Sequence, residues 1–553
     1  MTNQETSALS LGRYGEAVAA RLRHWEEEGF GRRLWAKDHT LWTPEPVPEL
    51  TDRMGWLELP ATMLEEIEGL ERFAAEARNA GIERAFVLGM GGSSLAPEVF
   101  AHTFGSRSGF PELRVLDTTH PDAVELSSQG VDPARTLFLV SSKSGGTLET
   151  LSLFRFYWQL SGGAGRQFAA ITDPGTSLER LARERGFRTV FNTPEEVGGR
   201  YSAFTFFGLV PAALIGVDLR GLLERGRAMS EACGPEVPAA QSPGLVLGAT
   251  LGELALAGRD KVTFLTTPSL ASFPDWIEQL VAESTGKHGK GIVPVVGERP
   301  GRAEVYGGDR AFAALLLDGE TEELEPRLAA LEAAGHPVLR FHLADRLDLG
   351  REIFRWEIAT AAAGAVLGIN PFDQPDVQLA KELAARAMKE QGREPVQEQA
   401  SVDLHEWLAG IRPGDYLGLQ AYLVPGREDL HDIQAALRDR TRCAVTAGYG
   451  PRFLHSTGQL HKGGPGHCRF LQLVDTPARS VPVPETDYSF AKLIRAQADG
   501  DRQALEQRGR AVLRLDLDGD VHGGLGRLRE ALGAEPSTEE DGDETLPPEG
   551  IWR

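Results

Sequence analysis

Short apolar runs that end in Gly, Ser or Asp and pass straight into an amphipathic helix recur along this chain, and that repeat constrains the fold more than any other feature of it. Ala85 to Leu88, Thr136 to Val140, Phe168 to Ile171 and the weaker Thr189 to Phe191 are such runs. An uninterrupted apolar strand followed by a helix is the signature of a strand buried on both faces, so the pattern predicts an α/β fold whose parallel sheets carry helices on both sides. Residues 65–233 are expected to form a first doubly wound unit, with its ligand at the carboxyl ends of the strands. The Pro- and Gly-rich stretch Gly234 to Gly244 then leads into a second unit, 234–480. Its candidate strands are Val262 to Thr266, Ala313 to Leu317, Val338 to Phe341, Tyr416 to Tyr422, Ala444 to Thr446 and Phe470 to Leu473. The two units read as the same architecture in tandem, without a residue-level repeat.

Residues 1–64 carry Trp25, Trp35, Trp42 and Trp56, which an isolated segment could not hide, so they are expected to form a helical arm packed across a unit. Residues 481–535 read as a C-terminal α/β extension, with a strand at Ala511 to Leu517 and a helix near Gly524 to Leu532. Residues 536–553 are acidic and Pro-rich, a composition that buries little apolar surface. A chain of 553 residues, 41% apolar, has material for more than one core. Its formal charge of −22 repels polyanions and argues against nucleic acid or an anionic membrane as partner, while one phosphate on a small substrate needs only a local set of donors. Three widely separated cysteines make neither a disulfide framework nor a Cys-rich metal site. With no signal-peptide pattern around Glu5, Arg13, Glu16 and Arg21, and no apolar run of membrane-spanning length, the cytoplasm is the expected compartment.

Three glycine-bearing segments bear on chemistry. Ser141-Ser142-Lys143-Ser144-Gly145-Gly146-Thr147 follows the run ending at Val140 and opens a helical stretch, Leu148 to Trp158. Backbone N–H groups, several hydroxyls and a positive helix end converge there, as a phosphate requires. Gly89-Met90-Gly91-Gly92-Ser93-Ser94 sits at the same strand-to-turn position but ends in Ser94 where a dinucleotide fingerprint needs glycine; it is read as a structural turn or a sugar-contacting one. Thr285-Gly286-Lys287-His288-Gly289-Lys290 has Val281 where a P-loop needs its first glycine, which removes nucleotide hydrolysis.

Ser272-Phe273-Pro274-Asp275 looks like a helix start, with a capping hydroxyl and an early proline. Trp276, Ile277, Leu280 and Val281 would form the apolar face, with Gln279 and Glu283 on an adjoining strip. A carboxylate beside such a face has its pKa raised by burial, as a general base at neutral pH needs.

Gly89 to Ser94, Ser142 to Thr147, Gly198-Gly199-Arg200-Tyr201-Ser202, Gln279 to Lys287 and Phe372-Asp373-Gln374 through Lys381 together resemble, in order, the signatures of the phosphoglucose isomerase family. The resemblance covers roughly residues 60–390 and implies two sugar-isomerase (SIS) units with the active site between them. It implies that Ser142, Lys143, Ser144 and Thr147 hold the sugar phosphate and that Gly92, Ser93 and Gly199 lie near the sugar. Gln279 and Gln374 would contact substrate, Arg200 would stabilise an enediolate, Glu283 would move a proton between C1 and C2, and Lys381 would sit near the ring oxygen. Neither metal nor cofactor is implied. The reaction would interconvert glucose 6-phosphate and fructose 6-phosphate, mannose 6-phosphate being an alternative substrate and a non-catalytic sugar-phosphate sensor a different class. A homodimer is implied, in which each subunit completes the other's site.

The family's histidine motif precedes the Phe-Asp-Gln block, whereas here the nearest likeness, His455-Ser456-Thr457-Gly458-Gln459-Leu460-His461-Lys462-Gly463-Gly464, follows it. That order, with Gly450-Pro451-Arg452 just before it, resembles the isomerase half of transaldolase/phosphoglucose isomerase fusion proteins, without a transaldolase portion. Either His455 or His461 is a candidate for opening the sugar ring. His461 is preferred because the Lys462-Gly463-Gly464 turn beside it would give the side chain reach.

Overall fold

The computed structural model describes residues 7–389 and 403–533. Its strands are β1 (Ser7–Ser10), β2 (Arg84–Leu88), β3 (Glu112–Leu116), β4 (Thr136–Ser141), β5 (Phe168–Thr172), β6 (Thr189–Asn192), β7 (Lys261–Thr266), β8 (Val293–Val295), β9 (Arg310–Leu317), β10 (Val338–Leu343), β11 (Tyr416–Tyr422), β12 (Ala444–Tyr449), β13 (Cys468–Val474) and β14 (Ala511–Asp516). In the first sheet they run β3-β2-β4-β5-β6, all parallel. Alternate residues of these strands enter two different cores: Val87, Leu137, Leu139 and Ile171 lie in one, Phe86, Leu88, Phe138 and Val140 in the other. This is the two-faced burial that the apolar runs predicted. From β2 the chain moves outward to β3 and then crosses back to β4, so the connections diverge between β2 and β4 and open a crevice at their carboxyl ends.

The expected tandem arrangement holds, with one change. Strands expected to form one second unit fall into two sheets. One is β8-β7-β9-β10, parallel, with β1 added antiparallel at its edge; the other is β12-β11-β13-β14, parallel throughout. All three sheets therefore start with the same winding, in which the second strand of the unit lies outside the first and the third lies inside. After β10 the chain enters the helix Leu349–Leu367, which is almost wholly buried. β14, assigned from sequence to a separate extension, is hydrogen-bonded along β13.

Three strands were not expected: β1, β3 and β8. β3 and β8 lie at sheet edges, where charged Glu112 and Arg114 or the proline Pro294 break the apolar run. The arm is only partly helical, since β1 joins a sheet before the helix Gly15–Glu27 begins. Trp25, Trp42 and Trp56 are buried as anticipated, and Trp35 donates from Nε1 to the carbonyl of Cys233 (2.7 Å). The acidic tail, 536–553, lies outside the described residues, and within them no helix is long and apolar enough to cross a membrane.

Candidate active site

At the end of β2 the chain turns at Gly91 and Gly92, and a Cβ on Gly92 would lie 2.0 Å from the carbonyl oxygen of Gly199. Only a glycine lets these two backbones touch. The contact brings the single turn Gly199–Tyr201, with Arg200, against the end of the first sheet, while Ser93 is buried in the glycine turn itself.

The neighbouring connection, after β4, holds its shape through the Ser142 hydroxyl, 2.9 Å from that of Thr147, and through Gly145, which has φ +68°. Thr147 flanks the helix Leu148–Leu160. Ser144, Gly146 and Thr147 line a cavity of about 370 Å³, together with Glu149, Val377, Met388, Leu454 and His455. Lys143 does not face it: its ammonium pairs with Asp173 and donates to the carbonyl of Glu195 (3.3 Å). The family resemblance places Lys143 with the phosphate, whereas the ion pair turns its side chain toward the loop after β5.

The helix Phe273–Thr285 follows β7 and is the pivot of the site. Pro274 lies in its first turn as expected, but the Ser272 hydroxyl makes no capping bond. The predicted apolar face is buried, and so are Glu278, Gln279 and Glu283. Arg200 donates from Nη1 to Glu283 Oε2 at 2.9 Å and from Nη2 to the carbonyl of Asp373 (2.9 Å) and that of Phe372. Both side chains are nearly sealed, with Arg200 4% and Glu283 5% exposed. Burial pushes the Glu283 carboxyl above the ordinary range, and the Arg200 guanidinium and His455 pull it back.

Gln279 donates from Nε2 to the carbonyl of His455 (2.9 Å), and its Oε1 is buried without a hydrogen-bond partner among the described residues, as is Arg200 Nε. Groups left so in a native cleft are those a ligand pairs with. Gln374 is exposed, one residue beyond the Asp373 carbonyl that holds Arg200. Lys381 lies on the helix Val377–Lys389, and its side chain falls outside the described residues.

The two histidines are separated sharply. His455 lines the cavity and donates from Nε2 to Glu149 Oε1 at 3.1 Å, an oxygen that also accepts from Gln497 Nε2 at 2.8 Å. His461 is 2% exposed, stacked on Tyr416 and packed edge-on against Phe470. Burial, with the charges of Lys462 and Arg510, holds its imidazolium well below the usual range. The preference for His461 as ring-opening residue does not survive this placement: the Lys462-Gly463 pair proposed as a flexible turn lies inside the buried helix Gly458–Gly463.

Sequence reasoning missed three residues here. Glu149 lies in the first turn of its helix, an ordinary place for an acid, and was not singled out. Lys287 entered as a failed P-loop lysine and as the end of the Gln279 to Lys287 block, with no role of its own. It is fully buried, donates to the carbonyl of Asn370 and pairs with Asp373 (2.7 Å); burial and the nearby Arg200 charge bring its pKa down to about 7. Arg452 entered only in the Gly450-Pro451-Arg452 stretch before the histidine motif, with no role given to it.

A family model described as phosphoglucose isomerase matches residues 72–296. A glucose-6-phosphate isomerase of Carboxydothermus hydrogenoformans is 30% identical over 403 residues, spanning 62% of this chain and 86% of the relative. A probable glucose-6-phosphate isomerase of Haloarcula marismortui is 30% identical over 354 residues, covering 57% of this chain and 80% of the relative. Among solved structures, a hypothetical protein of Thermus thermophilus is similar with a TM-score of 0.59 at 27% identity, over 69% of this chain and all of that one. A glucose-6-phosphate isomerase of Chlamydia trachomatis shares the fold, with a TM-score of 0.50 at 21% identity over 63% and 77% of the two chains.

Proposed function

Because this chain belongs to the phosphoglucose isomerase family, we infer that it catalyses the reversible isomerisation of glucose 6-phosphate and fructose 6-phosphate. The observation that carries the reading is the sealed Arg200–Glu283 pair at 2.9 Å, with Glu283 on a helix tied through Gln279 to His455, which lines the cavity together with Ser144, Gly146 and Thr147. Abstraction of the C2 proton of the open-chain aldose by Glu283 leaves an enediolate. The negative charge given up by the carboxylate then reappears on a substrate oxygen beside the same guanidinium. Transfer of the hydroxyl proton from O2 to O1 and return of the carbon-bound proton to C1 give the ketose. Burial raises the Glu283 pKa and the Arg200 guanidinium opposes that rise, and a raised carboxylate pKa is what a general base needs.

We assign the phosphate to Ser142, Ser144, Thr147 and the amides between them, and the sugar to Gly92, Ser93, Gly199 and Gln279. Ring opening is assigned to His455. Its Nε2–H is committed to Glu149, which leaves Nδ1 to exchange a proton with the ring oxygen and the C1 hydroxyl. Lys381 and Gln374 stay in the proposal through the family resemblance alone. The dimer and the cytoplasmic location belong to the same proposal. Since Glu283, Arg200 and His455 come from one chain, a second copy is not needed to bring them together. Coupled assay of purified protein with fructose 6-phosphate tests the reading: the wild type turns over and Glu283→Gln does not. Absence of turnover in the wild type would overturn it.

A further inference from the structure

His455 sits on the single turn Arg452–His455, between β12 and the helix Gly458–Gly463; Phe453 packs that turn on Tyr422 of its own sheet, while the side chain of Arg452 reaches outside it. Arg452 donates from Nη1 to Asp117 Oδ2 at 3.0 Å and from Nη2 to Glu98, and Nη2 lies 3.7 Å from Asp275. Asp117 ends the first sheet just past β3, and Glu98 is on the helix Leu95–Phe104 beside it. Asp275 is in the first turn of the helix that carries Glu283. Three residues further on, the carbonyl of His455 accepts from Gln279, and the Ser456 hydroxyl donates to Glu278 Oε2 at 3.3 Å. The segment 452–456 therefore meets the helix Phe273–Thr285 at three successive points, Asp275, Glu278 and Gln279, while Glu283 projects from the same helix one turn beyond Gln279.

We propose that Arg452 is a positioning residue for ring opening: by tying the His455 turn to Glu98, Asp117 and Asp275, it fixes the imidazole relative to the helix of the base. This rests on the assignment of ring opening to His455. A planar guanidinium with several fixed donors suits the task, because three carboxylates from separate elements define its plane as one contact would not. Glu283 has its own partner, Arg200, so loosening the turn displaces His455 and leaves the proton transfer at carbon in place.

The proposal separates two kinds of substrate. Glucose 6-phosphate must be opened before Glu283 acts. Erythrose 4-phosphate, whose phosphorylated O4 leaves no hydroxyl to close a ring, need not be. Because a misplacement of about 1 Å costs up to ~10²-fold in rate, Arg452→Gln is expected to lower kcat for glucose 6-phosphate by ~10- to 100-fold. Turnover of erythrose 4-phosphate should fall by less than ~3-fold, since its path bypasses the displaced group. Arg452→Lys keeps the charge but not the fork and should fall between wild type and Arg452→Gln on the hexose phosphate. Equal losses on both substrates, or none on either, would overturn the role, as would a lysine variant no better than the glutamine one. Should Arg452→Gln fail to fold, as judged by its thermal transition, the lysine variant decides alone: a hexose-selective loss supports the role and its absence overturns it. His455→Asn serves as reference, because a histidine variant without substrate selectivity would sink the assignment of His455 itself, whereas selectivity there and none in the Arg452 variants sinks only the present proposal.

Discussion

The connection after β4 and the connection after β12 have the same outline: each leaves the carboxyl end of a parallel strand and enters a helix, Leu148–Leu160 in one case and Gly458–Gly463 in the other. They meet where His455 donates to Glu149. The first is held by its own residues, through the Ser142–Thr147 hydroxyl contact, and by the turn after β5, where Ser177 donates to the carbonyl of Gly145 (2.9 Å). The second is held by other sheets, through Arg452, the His455 carbonyl and Ser456. An anion is recognised by backbone amides and hydroxyls that a short stretch of chain supplies by itself. A proton carrier must instead be placed against the base it cooperates with, and here that base is on a helix far away in sequence.

Variants of the two connections and of the helix between them break this comparison apart. The largest effect is expected for Glu283→Gln, which serves both sides equally: kcat should fall by ~10²- to 10⁴-fold, the range for loss of a general base, with the Michaelis constant for fructose 6-phosphate nearly unchanged. Turnover above about a tenth of wild type would remove Glu283 from the role of base. His455→Asn follows, with a loss of ~10²-fold confined to substrates that must be opened, which would mark the β12 connection as the one doing acid–base work. For the β4 connection, Ser142→Ala combined with Thr147→Ala should raise the Michaelis constant by ~10-fold for both hexose phosphates and lower kcat less, because remote phosphate contacts contribute mainly uniform binding. If kcat fell and the Michaelis constant did not, that loop would be acting in the chemistry and the contrast between the two connections would disappear.

The same contrast decided what could be read in the amino-acid sequence. β2, β4, β5 and β7 were legible because strands covered on both faces spell uninterrupted apolar runs, and the Gly89 and Ser142 segments because they follow those runs directly. Glu283 was legible from an apolar helix face, although the helix proved buried all round. The division between the second and third sheets was not legible, since the chain leaving β10 continues into the buried helix Leu349–Leu367, which carries the apolar pattern on beyond the second sheet. Lys143 and His461 were placed by what stands next to them in the chain, and their contacts, with Asp173 and with Tyr416 and Phe470, are made by residues distant in sequence. Arg452 and Lys287 stand in segments that carry the resemblance, but their partners are carboxylates or carbonyls from other elements, which no local pattern names.

The smallest effect is expected for His461→Phe, six residues beyond His455 on the same connection. The ring would stay in its nest against Tyr416 and Phe470, so kcat on glucose 6-phosphate should remain within about twofold of wild type, the side chain having no part in the acid–base steps. What it gives up is the contact of Nδ1 with the Tyr416 hydroxyl at 3.3 Å, and losing that buried hydrogen bond should cost roughly 1 kcal/mol of stability at pH 8. The pH dependence identifies the cause. Burial holds the folded-state pKa of His461 well below its value in the unfolded chain, so below about pH 6.5 the unfolded chain binds a proton that the folded one refuses, and stability falls with pH. Phenylalanine removes that dependence. Urea midpoints should therefore show the variant less stable than wild type at pH 8 and the gap closing or reversing by pH 5. A gap that stayed constant across this range would mean that His461 is not buried as a neutral ring. A loss of turnover approaching that of His455→Asn would return the second histidine to the chemistry and dissolve the distinction between the two.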